Sequence, residues 1–160
     1  MKKALMIFAA LIAAAAMTSC GDKDNDEQIV GKWALTSYYY QYHDFTDENL
    51  SSEDTWTLPD DNYIGYDSAE FKADGTMRWH LNDRYVSEGH FDYHYREYSW
   101  HIDGDSLFVY SNNMADGSKY AIKDLDNKNL VIEEHTDNYP PSYDQHHWEQ
   151  INRLTLKRSK

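Results

Sequence analysis

Two short stretches of the chain have the sequence of tight β-hairpins. In the first, "AEFK" and "TMRWHL" lie on either side of Ala73-Asp74-Gly75, and in the second, "YSWHI" and "SLFVYS" flank Asp103-Gly104-Asp105. An Asp-Gly pair supplies the positive φ angle that a tight hairpin turn needs. Apolar and polar residues alternate beside both turns, which gives each strand one apolar face. These stretches predict antiparallel β-structure.

The same pattern continues from residue 29 to residue 160, from "GKWALTSYYYQYH" at 31–43 to "HWEQINRLTLKR" at 147–158. The chain contains 14 Tyr and 5 Trp, and aromatic residues favour strands over helices. About eight or nine short strands separated by turns are typical of a closed antiparallel sheet. We therefore predict one all-β domain at 29–160, an up-and-down antiparallel β-barrel of about eight strands, with a β-sandwich as the alternative.

Two regions do not follow this alternation. Residues 44–66 are acidic and rich in turn-forming residues, and residues 136–147 contain Pro140-Pro141. Proline cannot donate a hydrogen bond to a sheet and is rare in central strands. We predict that both regions are long loops and that they lie near one rim of the barrel.

Three motifs, taken in their order, resemble those of the lipocalin-like domains of bacterial lipoproteins. They are Gly31-Lys32-Trp33, "FKADGT" at 71–76 and "LTLKR" at 154–158, and the resemblance extends over residues 29–160. It implies a barrel in which the tryptophan packs at the closed end beneath an arginine from the last strand. If the first and last strands pair antiparallel, Trp33 meets Arg158, and we predict that this pair closes the barrel.

Alternation along the strands predicts which side chains face the lumen. Counting in steps of two from Trp33 places Tyr39 inside and turns Tyr38, Tyr40 and Tyr42 outward as an apolar row. Counting along "GHFDYHYRE" at 89–97 places Tyr93 and Tyr95 inside. The predicted lining of the open end is Tyr39, Gln41, Trp79, Tyr93, Tyr95, Trp148 and Gln150.

An eight-stranded barrel is just wide enough to be filled by side chains or to hold one small ligand. Two functions therefore remain open. The first is a binding module for a small apolar or amphipathic ligand, held by aromatic walls with a few polar groups. The second is an accessory protein with a filled barrel, whose outward tyrosine row contacts another protein of the cell envelope.

The first residues of the chain have the order of a bacterial secretory signal. Two lysines precede fourteen apolar residues, Ala4 to Met17, and small residues lead to Cys20, the only cysteine. Fourteen apolar residues are too few for a permanent membrane span. A small-residue triplet ending in Cys resembles the lipobox of bacterial lipoproteins, which implies removal of 1–19 and acylation of Cys20. Residues 20–28 are then an acidic, flexible tether.

This resemblance places the protein at the outer membrane, anchored through the acyl chains on Cys20. The acidic run that follows Cys20 resembles surface-export signals of some lipoproteins and favours the cell surface, with the periplasmic face as the alternative. The formal net charge of −13 argues against nucleic acid as a partner and against direct adhesion to anionic lipid.

The sequence contains no motif for catalysis, for a cofactor or for a metal. It has no glycine-rich phosphate loop, no nucleophile elbow and no zinc-protease motif. His90 and His94 share a strand face but lie about 13 Å apart at the usual rise, which is too far for one ion. We therefore predict a protein that is not an enzyme and that has no cofactor and no metal ligand.

Overall fold

The computed structural model of the protein describes residues 25–60, 65–82, 94–111, 117–138 and 146–160. Within these ranges the chain forms β-strands, one short α-helix and a 3-10 turn. The elements are α1 Asn25–Ile29, β1 Gly31–Asp44, the 3-10 turn Glu48–Leu50, β2 Ser52–Thr57, β3 Tyr66–Phe71, β4 Thr76–Leu81, β5 Tyr95–Asp103, β6 Ser106–Ser111, β7 Ser118–Leu125, β8 Asn129–Asp137 and β9 Trp148–Arg158.

Eight of these strands form a closed antiparallel barrel. From β3 to β9, each strand is hydrogen-bonded to the next along the chain. The long strand β1 closes the barrel, because it pairs with β9 on one edge and with β3 on the other. The additional strand β2 pairs with the second half of β1. The predicted up-and-down barrel is confirmed, and the alternative of a sandwich is excluded.

The two ends of the barrel differ in their connections. At the hairpin end, short turns follow β3, β5 and β7, and Gly75 and Gly104 adopt φ angles of 81° and 59°. These are the left-handed conformations that the Asp-Gly pairs predicted. At the loop end, longer connections follow β1, β2, β4, β6 and β8. The amide of Phe45 donates to the carbonyl of His147 at 2.8 Å, so parts of both predicted loop regions meet at this end.

The prediction of a loop throughout residues 44–66 is wrong, because β2 lies within it. The strand has the sequence "SEDTWT", in which Trp56 is the only large apolar residue. Apolar alternation was therefore absent. Pairing with β1 holds the strand in place, and the Trp56 ring stacks on the Tyr38 ring with centroids 5.4 Å apart.

The hydrophobic core fills the hairpin end of the lumen. Helix α1 contributes Ile29, which is fully buried, and the indole N–H of Trp33 donates to the Ile29 carbonyl at 2.7 Å. Residues 25–28, predicted as the end of the tether, are therefore helical and packed beside the barrel. The buried strand residues of this core are Trp33, Leu35, Ala69, Phe71, Met77, Trp79, Trp100, Leu107, Val109, Leu130, Ile132, Leu154 and Leu156.

A β-bulge at Thr36 reverses the predicted facing of the second half of β1. Leu35 pairs with Leu156 and Ser37 with Thr155, so Thr36 is an extra residue opposite β9. The Thr36 hydroxyl donates to the Thr155 carbonyl at 3.0 Å, and the Thr36 carbonyl accepts from the Leu58 amide at 2.9 Å. One inserted residue moves every later side chain to the opposite face.

The assignments that depended on unbroken alternation in β1 are therefore wrong. Tyr39 and Gln41 lie on the outer face, where the Arg153 guanidinium is 5.4 Å from the Tyr39 ring centre. The tyrosines predicted to form an outward row instead face the lumen, because they pair with inward residues of β9. These are Tyr38, Tyr40 and Tyr42, opposite Leu154, Asn152 and Gln150.

Tyr95 also lies on the outer face. It belongs to the same continuous strand as the buried Trp100, and an odd separation along a strand places two side chains on opposite faces. Tyr95 is 41% exposed and packs against Arg78, whose guanidinium carbon is 4.5 Å from the ring centre. The predicted inward facing of Tyr95 is therefore wrong.

Several predictions concern residues outside the described ranges. The signal segment 1–19, Cys20 and residues 21–24 of the tether fall there, as does Tyr93 of the predicted lumen lining. They stay predictions.

Candidate ligand site at the loop end of the barrel

The inward-facing side chains divide the lumen into two zones. Towards the hairpin end most of them are buried, with exposed fractions of 0 to 8%, and Ile102 and Ile122 are half-buried. Towards the loop end most of the inward side chains are only half-buried. We name this half-buried set the upper lumen. It comprises Tyr38, Tyr40, Tyr42, Trp56, Tyr66, Tyr98, Tyr120, Glu134, Trp148 and Gln150, together with the buried Asn152.

A row of paired residues crosses the upper lumen from β7 to β1. Tyr120 is opposite Glu134, Glu134 is opposite Asn152, and Asn152 is opposite Tyr40. Directly opposed side chains have Cβ atoms about 5 Å apart. The row therefore places a carboxylate and an amide between two phenol rings on one wall.

Hydrogen bonds orient the amide in the middle of this row. The Tyr38 hydroxyl donates to Asn152 Oδ1 at 2.7 Å, and Asn152 Nδ2 donates to Glu134 Oε2 at 3.3 Å. Because the oxygen of Asn152 accepts from Tyr38, its NH₂ group points to Glu134. Asn152 thereby fixes one oxygen of the carboxylate in the lumen.

The neighbouring carboxylate, Glu133, faces outward and has two cationic partners. It lies on the outer face, where Lys123 Nζ is 3.0 Å from Oε1 and Arg153 Nη2 is 2.6 Å from Oε2. Burial tends to raise the pKa of Glu133, but hydrogen bonds from Lys123 and Arg153 and their charges outweigh it and lower the pKa. Glu134 has no ion pair with any described residue.

Burial favours the protonated phenols of Tyr38 and Tyr120. It raises the pKa of Tyr38, with smaller contributions from Tyr40 and from the charge of Glu134. It also raises the pKa of Tyr120, where the charge of Glu134 is the next cause. A neutral hydroxyl can donate or accept a hydrogen bond. These side chains can therefore hydrogen-bond to either a donor or an acceptor group of a ligand.

On the opposite wall, Tyr66 and Tyr98 bring their hydroxyl oxygens to 3.4 Å from each other. The Tyr66 ring packs on the Trp79 ring, with centroids 5.3 Å apart. Burial, then the hydroxyl of Tyr98, raises the pKa of Tyr66, while the nearby Arg96 lowers it. Trp79, predicted in the lumen lining, thus lies beneath Tyr66 on the inner face and belongs to the buried core.

At the rim of the upper lumen, the Tyr42 and Trp148 rings lie with centroids 5.8 Å apart. Trp148 and Gln150 face inward on β9, as their parity with Leu154 and Leu156 predicted. The structure therefore places Trp79, Trp148 and Gln150 on the inner face, and Tyr39, Gln41 and Tyr95 outside.

The alternation rule could have found Glu134 and Asn152. They share parity with Ile132 and Leu154, so each is a polar residue at an inward position. That combination was the available signal. The roles of Tyr38 and Tyr40 could not be found in this way, because the bulge that turns them inward has no local signature.

A contact between a buried carboxylate and a half-exposed histidine joins the two chain segments at the loop end. Asp44, which is fully buried, accepts from the amides of Thr46 and Asp47 at 2.8 Å each, and its Oδ2 lies 3.0 Å from His146 Nδ1. Burial tends to raise the pKa of Asp44, but these amide bonds and the neighbouring His146 outweigh it and lower the pKa. This cluster fixes the rim beside Trp148.

At the hairpin end, Arg158 lies over Trp33, and its guanidinium carbon is 4.2 Å from the ring centre. The guanidinium also donates to the carbonyls of Val30 at 2.8 Å, Asn127 at 3.0 Å and Gln28. The two residues predicted to close the barrel are thus in contact. A separate groove of about 420 Å³ lies between Asp26 and Glu27 of α1 and Trp100.

Neither a protein-family model nor a curated protein matches the chain. In the described ranges, no group of three or more His, Cys, Asp or Glu residues could hold a metal ion. No helix of the described residues is long and apolar enough to cross a membrane. The fold and the site define a closed antiparallel β-barrel with a tyrosine-rich, half-buried inner face at its loop end.

Proposed function

We propose that this protein binds a small amphipathic ligand in the upper lumen of its barrel. The observation that carries the proposal is the change in burial along the inner face. Most side chains that point inward at the hairpin end are buried, with Ile102 and Ile122 as half-buried exceptions, whereas most of those at the loop end keep part of their surface in contact with solvent. An eight-stranded barrel can hold one small ligand where its own side chains do not fill it, and the half-buried loop end is where we place that ligand.

The chemistry of the upper lumen suits an amphipathic molecule. The rings of Tyr38, Trp56 and Trp148 offer apolar surface, and tyrosine and tryptophan provide a large contact area with few rotatable bonds. Asn152 and Glu134 are the polar groups that would orient the ligand. The ligand would place its apolar part against the rings and a polar part beside these two residues.

The proposed cellular setting comes from the sequence. The basic start, the short apolar segment and Cys20 support a lipoprotein held at the outer membrane by its acyl chains, as in the lipocalin-like proteins that the chain resembles. The acidic residues after Cys20 support display on the cell surface, and the periplasmic face is the alternative. The protein would then present its lumen to small molecules outside the inner membrane.

The alternative function, an accessory protein with a filled barrel, depended on an outward row of tyrosines. Tyr38, Tyr40 and Tyr42 face the lumen, so this row offers no surface to an envelope partner. The support for that alternative is thereby reduced, and the binding function is the one we propose.

The test is native mass spectrometry of protein released from the membrane of the cells that produce it. Two variants that make the same change on opposite faces provide the comparison: Gln150→Trp fills the upper lumen, and Gln41→Trp adds the same bulk outside. We expect a bound small molecule on the wild type and on Gln41→Trp, and its loss from Gln150→Trp. Equal occupancy of both variants, or a bare wild-type protein that co-purifies with another protein, would contradict the proposal.

A further inference from the structure

Glu134 is a carboxylate inside the barrel without a cationic partner among the described residues. In the described part of the chain, its hydrogen-bond donor is the neutral amide of Asn152, at 3.3 Å. Its neighbour Glu133, one residue earlier and on the outer face, contacts both Lys123 and Arg153. A partly buried carboxylate that lacks a counter-charge is costly, because desolvation is not offset by an ion pair.

The surroundings of Glu134 favour a cation. Tyr120 is directly opposite it on β7, and Tyr40 lies two positions along the same row on β1. Aromatic faces attract cations, and aromatic rings combined with a carboxylate are a recurring way to hold ammonium groups. The inward-facing Arg96 is near the Tyr66 hydroxyl on the opposite wall.

The net charge of the whole protein also favours a cationic ligand. With a formal net charge of −13, the chain attracts cations and repels anions before contact. An anionic ligand would also place its charge beside Glu134 in a low-dielectric site, where like charges repel strongly.

We infer that the ligand of the upper lumen carries a protonated amine or a quaternary ammonium group, and that Glu134 is its counter-charge. This inference rests on the proposed function, since it needs a lumen that admits a ligand. In the complex, the ammonium group lies beside Glu134 between Tyr120 and Tyr40, and the apolar part of the ligand extends towards the loop end along Trp56 and Trp148.

The test compares three probes that share a ten-carbon chain and differ in their head group: decyltrimethylammonium, decyl sulfate and decyl maltoside. Binding below the micelle concentration is followed by tryptophan fluorescence, with Trp56 and Trp148 as reporters. Glu134→Gln is compared with Glu133→Gln, because each removes one negative charge and only the first removes it from the lumen. Heat denaturation of both variants checks that they fold.

We expect the wild type to bind the ammonium probe roughly tenfold more tightly than the maltoside probe, and the sulfate probe most weakly. Glu134→Gln should lose that tenfold preference while its affinity for the maltoside probe stays unchanged. Glu133→Gln should behave as the wild type. If Glu134→Gln does not fold, nuclear Overhauser contacts between the N-methyl protons and the rings of Tyr40 and Tyr120 in the wild type give the same information.

The possible failures differ from one another. If none of the three probes binds to the wild type, the proposed function itself is overturned. If the probes bind without preference for the ammonium group, the binding function stands and the inference about Glu134 is overturned. A preference that Glu134→Gln and Glu133→Gln reduce equally would come from the net charge and would also overturn it.

Discussion

The guanidinium carbon of Arg158 lies 4.2 Å from the centre of the Trp33 ring, and these two residues join the last strand of the barrel to the first. Arg158 also donates to three backbone carbonyls, those of Gln28, Val30 and Asn127. It therefore fixes the segment that enters the barrel and the turn before β8 at the same time. Arg158 therefore links three parts of the chain at the hairpin end.

We expect Arg158→Ala to lower the free energy of unfolding by about 3 kcal/mol, because the cation–π contact and several hydrogen bonds from a charged donor are lost together. Urea denaturation followed by tryptophan fluorescence measures the change. The control is Arg153→Ala, which removes an exposed arginine that also lies over a ring, that of Tyr39. Surface ion pairs contribute little, so the control should lose about 1 kcal/mol or less. Equal losses would contradict the closing role of Arg158.

The contact between Arg158 and Trp33 also requires a glycine at position 31. Its φ angle is 138°, and a Cβ atom added there would lie 2.5 Å from Arg158 Nη1. We expect Gly31→Ala to cost about 3 kcal/mol, since backbone strain is added to displacement of the guanidinium. Gly104→Ala is the matched control, because φ is 59° there and nothing lies within 4 Å of the added atom. It should cost about 1 kcal/mol. A larger loss for Gly104→Ala in denaturation experiments would show that the contact with Arg158 is unimportant.

The bulge at Thr36 determines which tyrosines face the lumen. We expect Thr36→Val to cost about 1 kcal/mol, because the hydroxyl donates to the Thr155 carbonyl at 3.0 Å and valine cannot. The control Thr57→Val changes an exposed threonine of β2 and should cost less than about 0.5 kcal/mol. Urea denaturation of the two variants distinguishes these outcomes. If both variants keep the wild-type stability, the hydroxyl of Thr36 is not what stabilises the bulge.

Much of the fold was predictable because its signals are local. The Asp-Gly turns that contain Gly75 and Gly104 lie within a few residues of the strands that they join. Alternation along the strands then gave the inner faces of β4, β6, β8 and β9. Trp33 and Arg158 could be paired because only the first and last strands can close a barrel. The turns and inner faces needed only local sequence, whereas the pair Trp33 and Arg158 rested on the resemblance to lipocalin-like domains and on the assumption that the barrel closes.

Most of the errors arise where a distant contact overrides alternation. The error for Tyr95 differs, because "GHFDYHYRE" and "YSWHI" were treated as separate strands, whereas β5 is continuous from Tyr95 to Asp103. The bulge in β1 is held by Thr155, 119 residues away, and by Leu58. Nothing in "WALTSYYYQYH" indicates it, so Tyr39 and Gln41 were placed inside and Tyr38 and Tyr40 outside. The strand β2 was missed because its stability comes from pairing with β1 rather than from an apolar face of its own.

The buried carboxylate of Asp44 predicts a pH dependence of stability. Its pKa in the folded state is below the ordinary value of 3.8, so the ionised form stabilises the fold. This stabilisation is present in full well above pH 3.8 and is lost as the pH falls through 3.8 towards the lower pKa of the folded state. Asp44→Asn should therefore be less stable than the wild type at neutral pH, and the difference should shrink below about pH 4.

Urea denaturation of wild type and Asp44→Asn from pH 7 to pH 3 measures this difference. The control is Asp54→Asn, which changes an exposed carboxylate of β2. We expect a small, nearly constant difference for the control across the range. A difference for Asp44→Asn that does not change between pH 5 and pH 3 would show that ionisation of Asp44 is not linked to folding.

The proposed lipid anchor gives the last prediction. A protein with a formal net charge of −13 is repelled by anionic lipid, so its location would depend on the acyl chains of Cys20 alone. We expect Cys20→Ser to move the protein from the membrane fraction to the soluble fraction of disrupted cells, while Ser19→Ala stays with the membrane. The intact mass of the wild type should correspond to a chain that starts at Cys20 and carries acyl groups. Retention of Cys20→Ser in the membrane fraction, or an unmodified wild-type mass, would contradict the anchor, and would leave the ligand site of the barrel to be judged by its own tests.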